Sequence, residues 1–267
     1  EEFNVVRGNT LSNPLFMEYD ELQKFDADYI STGHYVNSTE WVFDGNGNCY
    51  HLFQKATDIK KDQSYFLAMV NPDIVQKCIF PLGGLTKEEV RDIAREIGLP
   101  VAEKKDSQEV CFIPDNDYIS FIEREFNPKA TPGDFLSSNG EKLGTHSGIY
   151  KYTIGQRKGL GAFGKPMYVL SIDAENNAVI IGDNNELFKE EIYIKDINFL
   201  SGNAPDNEFQ CEVKIRCAAR PAKATLTLSG DMGKIIFQEP QRAAAPGQTA
   251  AIYIDDILIG GGTICNP

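Results

Sequence analysis

Cys111 stands in the segment KKDSQEVCFIPD (104–115), with Lys104 and Lys105 upstream and Phe112-Ile113-Pro114 directly after it. A thiol beside two ammonium groups can be held as thiolate, its nucleophilic form. The strand-like run 110–113, ended by Pro114, equally suits a small buried hydrophobe, and local chemistry leaves both open. Four further groups could do chemistry. Gly33-His34 follows the apolar run 27–30, and a small-residue turn after a strand is where an open α/β sheet presents its ligand edge. Lys61-Asp62-Gln63 is a polar cluster set directly before Tyr65-Phe66-Leu67. Gln156-Arg157-Lys158 lies between glycines and could offer backbone N–H groups and two cations to phosphate, without the spacing of a P-loop. Residues 213–230 carry Lys214, Arg216, Arg220 and Lys223 and no acid.

The elements that must position these groups are legible to different degrees. Leu15, Tyr19, Leu22 and Phe25 have near-helical spacing, and residues 27–30 are a strand candidate. Residues 40–54 predict a β-hairpin about the turn Asp44-Gly45-Asn46-Gly47-Asn48, with Cys49 and His51 structural. Thr86 and Glu89 form a capping box. They open a helix with Val90, Ile93, Ala94 and Ile97 on one face, which Gly98 and Pro100 end. A second amphipathic helix is expected over 118–126. Turns are expected at 131–134 and 138–141, and short strands follow, spaced like a small barrel. Period-two alternation over 211–217 puts Cys211, Val213, Ile215 and Cys217 on an apolar face and turns Arg216 outward.

The chain has 267 residues, 42% of them hydrophobic, enough for two or three domains with their own cores. Its 39 acidic residues outnumber 26 basic ones, for a net charge of −13. Bulk charge therefore argues against indiscriminate nucleic-acid binding, and basic islands become more informative, although each also fits a solvated face. Six cysteines without a CxxC pair point to a reducing compartment and away from a zinc site or a disulfide scaffold. No apolar run is long enough to span a bilayer, and the start carries no secretory signal. The first residue is Glu1, not Met, so further residues are expected before it.

The pieces STGHYV (31–36), KKDQSYFL (60–67), KKDSQEVCFI (104–113), TIGQRKGLG (153–161), PGQ (246–248) and GGG (260–262) occur in this order. Together they closely resemble the tRNA-specific 2-thiouridylases, which place sulfur on the wobble uridine of certain tRNAs. The resemblance runs over essentially the whole chain. It implies an α/β adenylating domain of the PP-loop, adenine nucleotide alpha hydrolase-like class over 1–112. A small mixed or β central domain over 113–190 and a C-terminal β-barrel over 191–267 would follow.

It also implies ATP and Mg²⁺ as cosubstrates, tRNA and a persulfide sulfur-donor protein as partners, and a cytoplasmic setting. Cys111 would carry the persulfide and form a disulfide with a second cysteine. Gly33 would lie at the ATP site, with His34, Lys61, Asp62, Gln63, Arg216, Cys217 and Gln248 on tRNA. Cys217 departs from the family, in which that position is commonly aromatic. The family's phosphate-cradling SGGxDS loop is absent. So is the second catalytic cysteine, expected in a CNxxIKF-like run soon after Asn13-Pro14, and a short segment is expected to be missing there. Other adenylating PP-loop RNA-modifying enzymes, and a tRNA-binding fragment without catalysis, are the alternatives.

Overall fold

The computed structural model describes residues 27–39, 42–43, 49–100 and 117–267. Cys111 with its two lysines, the helix expected at 15–25 and the 44–48 turn lie outside the described residues. The chain forms two compact units. The first comprises the described residues within Glu1–Ala102, Glu191–Gln238 and Pro246–Pro267, and the second those within Glu103–Glu190 and Glu239–Ala245.

In the first unit, β1 (Ile30–Ser31) runs parallel to β6 (Cys78–Ile79), with Ile30 opposite Cys78. The expected strand at 27–30 thus begins only at Ile30. The hairpin is present as β3 (Val42–Phe43) and β4 (Cys49–Tyr50), paired antiparallel. β2 (Val36–Ser38) and β5 (Phe53–Lys55) pair antiparallel with each other. A 3₁₀ turn (Ser64–Leu67) and a short helix, α1 (Pro72–Val75), lead to α2 (Lys87–Glu96).

Helix α2 begins as its sequence dictates. Thr86 Oγ1 accepts from the Glu89 amide at 3.3 Å, and the Glu89 carboxylate accepts from the Thr86 amide at 2.7 Å. It ends in a Schellman motif, with Gly98 at φ +71 and the Leu99 amide donating to the Ala94 carbonyl. Its apolar face is not core, however. No residue of α2 is buried, and Ile93 and Ile97 are 45% and 63% exposed.

The strands β11 (Phe188–Phe199), β12 (Glu208–Lys214), β13 (Ala222–Ser229), β14 (Met232–Arg242), β15 (Thr249–Ile254) and β16 (Ile257–Cys265) close a six-stranded barrel. Around it the order is β11-β14-β13-β12-β15-β16, and β16 returns to β11. Alternation drives this: Cys211 and Val213 on β12, Ala224 and Leu226 on β13, and Ile235 and Phe237 on β14 are buried at every second position. The glycine triplet lies inside β16. A Cβ on Gly260, at φ +155, would collide with the Asn198 carbonyl of β11, and one on Gly262 would press on Ile194. The pairings of β16 with β11 and β15 each carry a register shift beside this triplet.

The barrel does not stop at six strands. β5 pairs antiparallel with β16, Phe53 opposite Leu258, and so extends the sheet through β5 to β2. One hydrophobic core joins Val36, Phe53, Leu67, Ile74 and Cys78 with Ala251, Tyr253 and Leu258. Phe53 is fully buried, edge-on to Phe80 at 5.2 Å. Burial of such a side chain contributes about 1.5–3 kcal/mol.

The second unit holds α3 (Tyr118–Phe126), capped by Asp117 accepting from the Ser120 amide at 3.0 Å. Its four-stranded sheet has the order β8 (Lys142–His146), β7 (Gly133–Leu136), β10 (Ala178–Gly182), β9 (Tyr168–Asp173), with β7 parallel to β10. The turn expected at 131–134 gives way to strand from Gly133. Phe135, Leu160, Met167, Val169, Val179 and Ile181 form the core. No helix among the described residues is long and apolar enough to cross a membrane.

Candidate nucleic-acid interface

The chain leaves β1 through Thr32-Gly33-His34-Tyr35. Thr32 Oγ1 lies 2.8 Å from His34 Nδ1, and burial holds the His34 pKa below the usual histidine value. Gly33 is exposed, and a Cβ there would meet only Leu82 Cδ1 at 3.9 Å. The protein's own packing therefore does not demand glycine at this position.

Gln63 holds this segment from behind. The Tyr35 amide donates to Gln63 Oε1 at 2.9 Å, and the Gln63 amide donates to the Tyr35 carbonyl at 3.0 Å. The Tyr35 ring is buried beneath Lys87 Nζ, 5.5 Å from its centroid. Asp62 organises its own loop. Its Oδ1 accepts from the Ala56 and Ser64 amides, both at 3.2 Å, and its Oδ2 accepts from Ser64 Oγ at 2.9 Å. Both side chains thus bond protein groups, which composition alone did not disclose. Lys61 precedes them at the loop's half-exposed edge, its amide donating to the Asp58 carbonyl.

Ser64 and Tyr65 carry the assembly across to the barrel. Ser64 Oγ lies 3.1 Å from the Tyr253 hydroxyl, and burial pushes the Tyr253 phenol well above its ordinary pKa. The Tyr65 hydroxyl donates to the Thr249 carbonyl at 2.9 Å, directly after Gln248. Lys214 Nζ sits 5.7 Å from the centre of the Tyr65 ring. The Tyr65 phenol is pushed up to about 12, first by burial and then by the charge of Cys217.

Cys217 corrects the alternation expected over 211–217. Cys211, Val213 and Ile215 are buried, but β12 ends at Lys214 and the chain turns, with the Ala219 amide donating to the Arg216 carbonyl. Cys217 is exposed, not core. Cys211 is core, and burial pushes its thiol up to about 12. Arg216 is half-exposed, and Gln248 is exposed beside Gly247, whose φ of +87 shapes the turn. The Ile264 amide donates to the Gln248 carbonyl at 2.8 Å and fixes that turn on β16.

Contacts therefore run from His34 through Tyr35 to Gln63 and Asp62, and through Tyr65 to Lys214 and the strand start after Gln248, with Cys217 acting on Tyr65 electrostatically. Gly33 and Arg216 join through their neighbours in sequence, while Cys111 lies outside the described residues. Ser64, Tyr65 and Tyr253 tie the candidate face together and are not among the residues the sequence nominates. Tyr65 carried the one visible signal, a phenol opening an apolar run right after a polar cluster.

Lys55 Nζ, by contrast, is neutralised. It is 3.1 Å from Asp256 Oδ1 and 3.6 Å from Glu212 Oε2, and ties β5 to the barrel. Arg216, Arg220 and Lys223 have no carboxylate partner among the described residues. Lys214, over the Tyr65 ring, places a cation on this face of an acidic protein, the kind of group that phosphate contact uses. No group of three or more His, Cys, Asp or Glu side chains among the described residues could hold a metal ion.

Three family profiles match in succession: a tRNA methyl transferase HUP domain over residues 13–115, a tRNA methyl transferase PRC-barrel domain over 119–183 and an aminomethyltransferase β-barrel domain over 189–264. The tRNA-specific 2-thiouridylase MnmA of Acetivibrio thermocellus is 46% identical over 239 residues, covering 89% of this chain and 66% of that protein. The corresponding figures for 2-thiouridylase MnmA 1 of Caldanaerobacter subterraneus subsp. tengcongensis are 44% over 247 residues, 92% and 67%. MnmA 2 of Clostridium botulinum strain Loch Maree is 42% identical over 248 residues, covering 92% and 69%. The chain spans about two thirds of the length of these relatives.

Proposed function

The chain belongs to the tRNA-specific 2-thiouridylase family, and from that premise we propose that it takes part in ATP-dependent 2-thiolation of the wobble uridine of tRNA. The observation that carries this is 42–46% identity to 2-thiouridylases over about nine tenths of the chain. Two of the matching profiles are named for methyl transfer, and sulfur transfer is favoured here because the full-length relatives that match at 42–46% identity are named 2-thiouridylases.

The uridine 2-carbonyl is a poor electrophile with a poor leaving group. Transfer of an adenylyl group from ATP to that oxygen, with loss of pyrophosphate, turns the oxygen into part of AMP, a good leaving group. The terminal sulfur of a Cys111 persulfide then forms a bond to C2 and AMP departs with the oxygen. A second cysteine thiolate attacks the Cys111 sulfur, breaking the S–S bond to the uridine. The product is 2-thiouridine, and the two cysteines are oxidised to a disulfide. In the alternative order the second cysteine acts first and releases sulfide, which attacks C2. Either order needs a thiolate.

Mg²⁺ would travel with the ATP phosphates and offset their charge. None of the residues assigned here is a ligand for it.

Gly33 leaves open backbone at the end of β1 for ATP, and His34 beside it meets the target nucleotide as a neutral imidazole. The uridine must leave its stack, at a cost of about a few kcal/mol. Lys61, Arg216 and Gln248 offset that by contacts to tRNA, and Cys217 contributes an exposed side chain to the same face. Asp62 and Gln63 act on tRNA through the loop and the His34 segment that they hold. The sulfur arrives from a persulfide donor protein, and the reaction belongs to the reducing cytoplasm.

The test is sulfur incorporation into tRNA by full-length protein with ATP and a persulfide donor, read as replacement of one uridine oxygen by sulfur. Full activity of Cys111→Ser would exclude its role. Methyl incorporation in place of sulfur would overturn the reading.

A further inference from the structure

From Lys142 to Ile172 the sequence contains no acidic residue, although acids outnumber bases 39 to 26 in the whole chain. The stretch carries Lys142, Lys151, Arg157, Lys158 and Lys165. Three of these are neutralised from outside it: Lys142 by Asp134 at 2.6 Å, Lys151 by Glu123 at 3.1 Å and Lys165 by Asp183 at 2.8 Å. Arg157 and Lys158 are exposed and have no carboxylate partner among the described residues.

These two cations are displayed on a fixed support. The Thr153 amide donates to Gln156 Oε1, and Gln156 Nε2 donates to the Lys158 carbonyl, both at 2.9 Å. The Gly155 amide bonds the Val169 carbonyl, and the Val169 amide bonds the Gln156 carbonyl, so β9 holds the loop's base. Leu160, 5% exposed, anchors the far side in the core. Gly159 and Gly161 take φ of +80 and +103, which lets the chain turn tightly around that anchor. A concavity of about 310 Å³ opens beside it, lined by Arg157, Gly161, Phe163, Gly164 and Lys165 among others.

Two adjacent cations on a fixed backbone, without a carboxylate partner among the described residues, give a local positive potential that attracts an anionic ligand. We propose that the 153–165 loop is a separate contact for the phosphate backbone of RNA, with Arg157 and Lys158 each facing a phosphodiester. The glycines keep side chains out of the ligand's approach. The contact carries no sequence preference, because cations on phosphate position a nucleic acid without reading its bases. This inference rests on the tRNA-thiolation reading, but its residues are distinct from those assigned there.

The experiment is tRNA binding to full-length protein, followed by fluorescence anisotropy between about 50 and 200 mM salt. Wild type is compared with Arg157→Gln/Lys158→Gln and with the charge-retaining Arg157→Lys/Lys158→Arg. Loss of two phosphate contacts should flatten the slope of log K against log salt by about 1.4–1.8, and cut the salt-induced change in affinity about tenfold across that range. The charge-retaining variant should keep the wild-type slope. If wild type binds tRNA and the neutral variant matches its slope, the loop is an ordinary solvated surface and the thiolation reading stands. A wild-type protein that fails to bind tRNA overturns both.

Discussion

Replacing Asp62 by alanine and by asparagine should give two very different proteins. The Asp62 carboxylate accepts from the amides of Ala56 and Ser64 through Oδ1 and from Ser64 Oγ through Oδ2. Ala56 is 1% exposed and Ser64 fully buried, so alanine strands two amide donors away from water. An unsatisfied buried donor costs about 1–3 kcal/mol, and Ser64 Oγ keeps Tyr253 as partner, so stranding two amides in Asp62→Ala should lose about 2–6 kcal/mol. That is a large share of a total stability of about 5–15 kcal/mol. Asparagine keeps the acceptor at Oδ1, and its amide donates to Ser64 Oγ, whose proton then turns to Tyr253. Only the charge assistance is lost, and the expected cost is below about 1 kcal/mol. Urea unfolding followed by circular dichroism, with tRNA binding measured on the same samples, separates the cases. A wild-type urea midpoint for Asp62→Ala, or equal losses for the two variants, would refute the bonding account. An Asp62→Asn protein of wild-type stability that no longer binds tRNA would show that the charge itself matters.

Gly260→Ala should destabilise the barrel by about 3 kcal/mol or more, because the methyl group collides with the Asn198 carbonyl at a φ unsuited to side chains; a wild-type urea midpoint would contradict this. Brief alkylation of native protein should label Cys217 well ahead of Cys78 and Cys211, which should react only on unfolding, as peptide mass mapping can determine. Burial lowers the pKa of His34, and that of His51 despite its bond to the Val75 carbonyl. Both are neutral in the fold, so the stability they contribute is complete above the ordinary histidine pKa of 6.5 and declines as pH falls from there through their lowered values. Imidazole proton resonances titrating at or above the free-histidine value would rule this out.

What the sequence disclosed was mostly local. Thr86 and Glu89 announce a capping box three residues apart, and the alternation of Cys211, Val213 and Ile215 identifies a barrel strand. Both rest on neighbouring residues and need no tertiary context. The same alternation misplaced Cys217, because a period-two pattern does not say where a strand ends. The α2 stripe of Val90, Ile93 and Ile97 was legible as a stripe, but amphipathicity does not guarantee a partner surface. Least visible were pairings between distant residues. Ser64 meets Tyr253 and Tyr65 meets Thr249 across more than 180 positions, and no spacing rule reaches that far. Motif order nominated the candidate site residues, whereas the bonds by which Asp62 and Gln63 hold the loop and the Tyr35 segment exist only in three dimensions.

The attachment of β2 and β5 to β16 bears on how such genes can be recombined. A swap of the segment 189–264 between two relatives would look clean at the profile boundary. It would nevertheless separate Phe53 from Leu258, Lys55 from Glu212 and Asp256, and Ser64 from Tyr253, pairs that together form one seam. The transplanted β16 would meet the other relative's β5 over Ile257–Leu258, and side chains mismatched there would loosen the pairing and expose a hydrogen-bonding edge to another chain. Chimeras that carry residues 36–65 along with the barrel should remain soluble where those cut at the boundary aggregate.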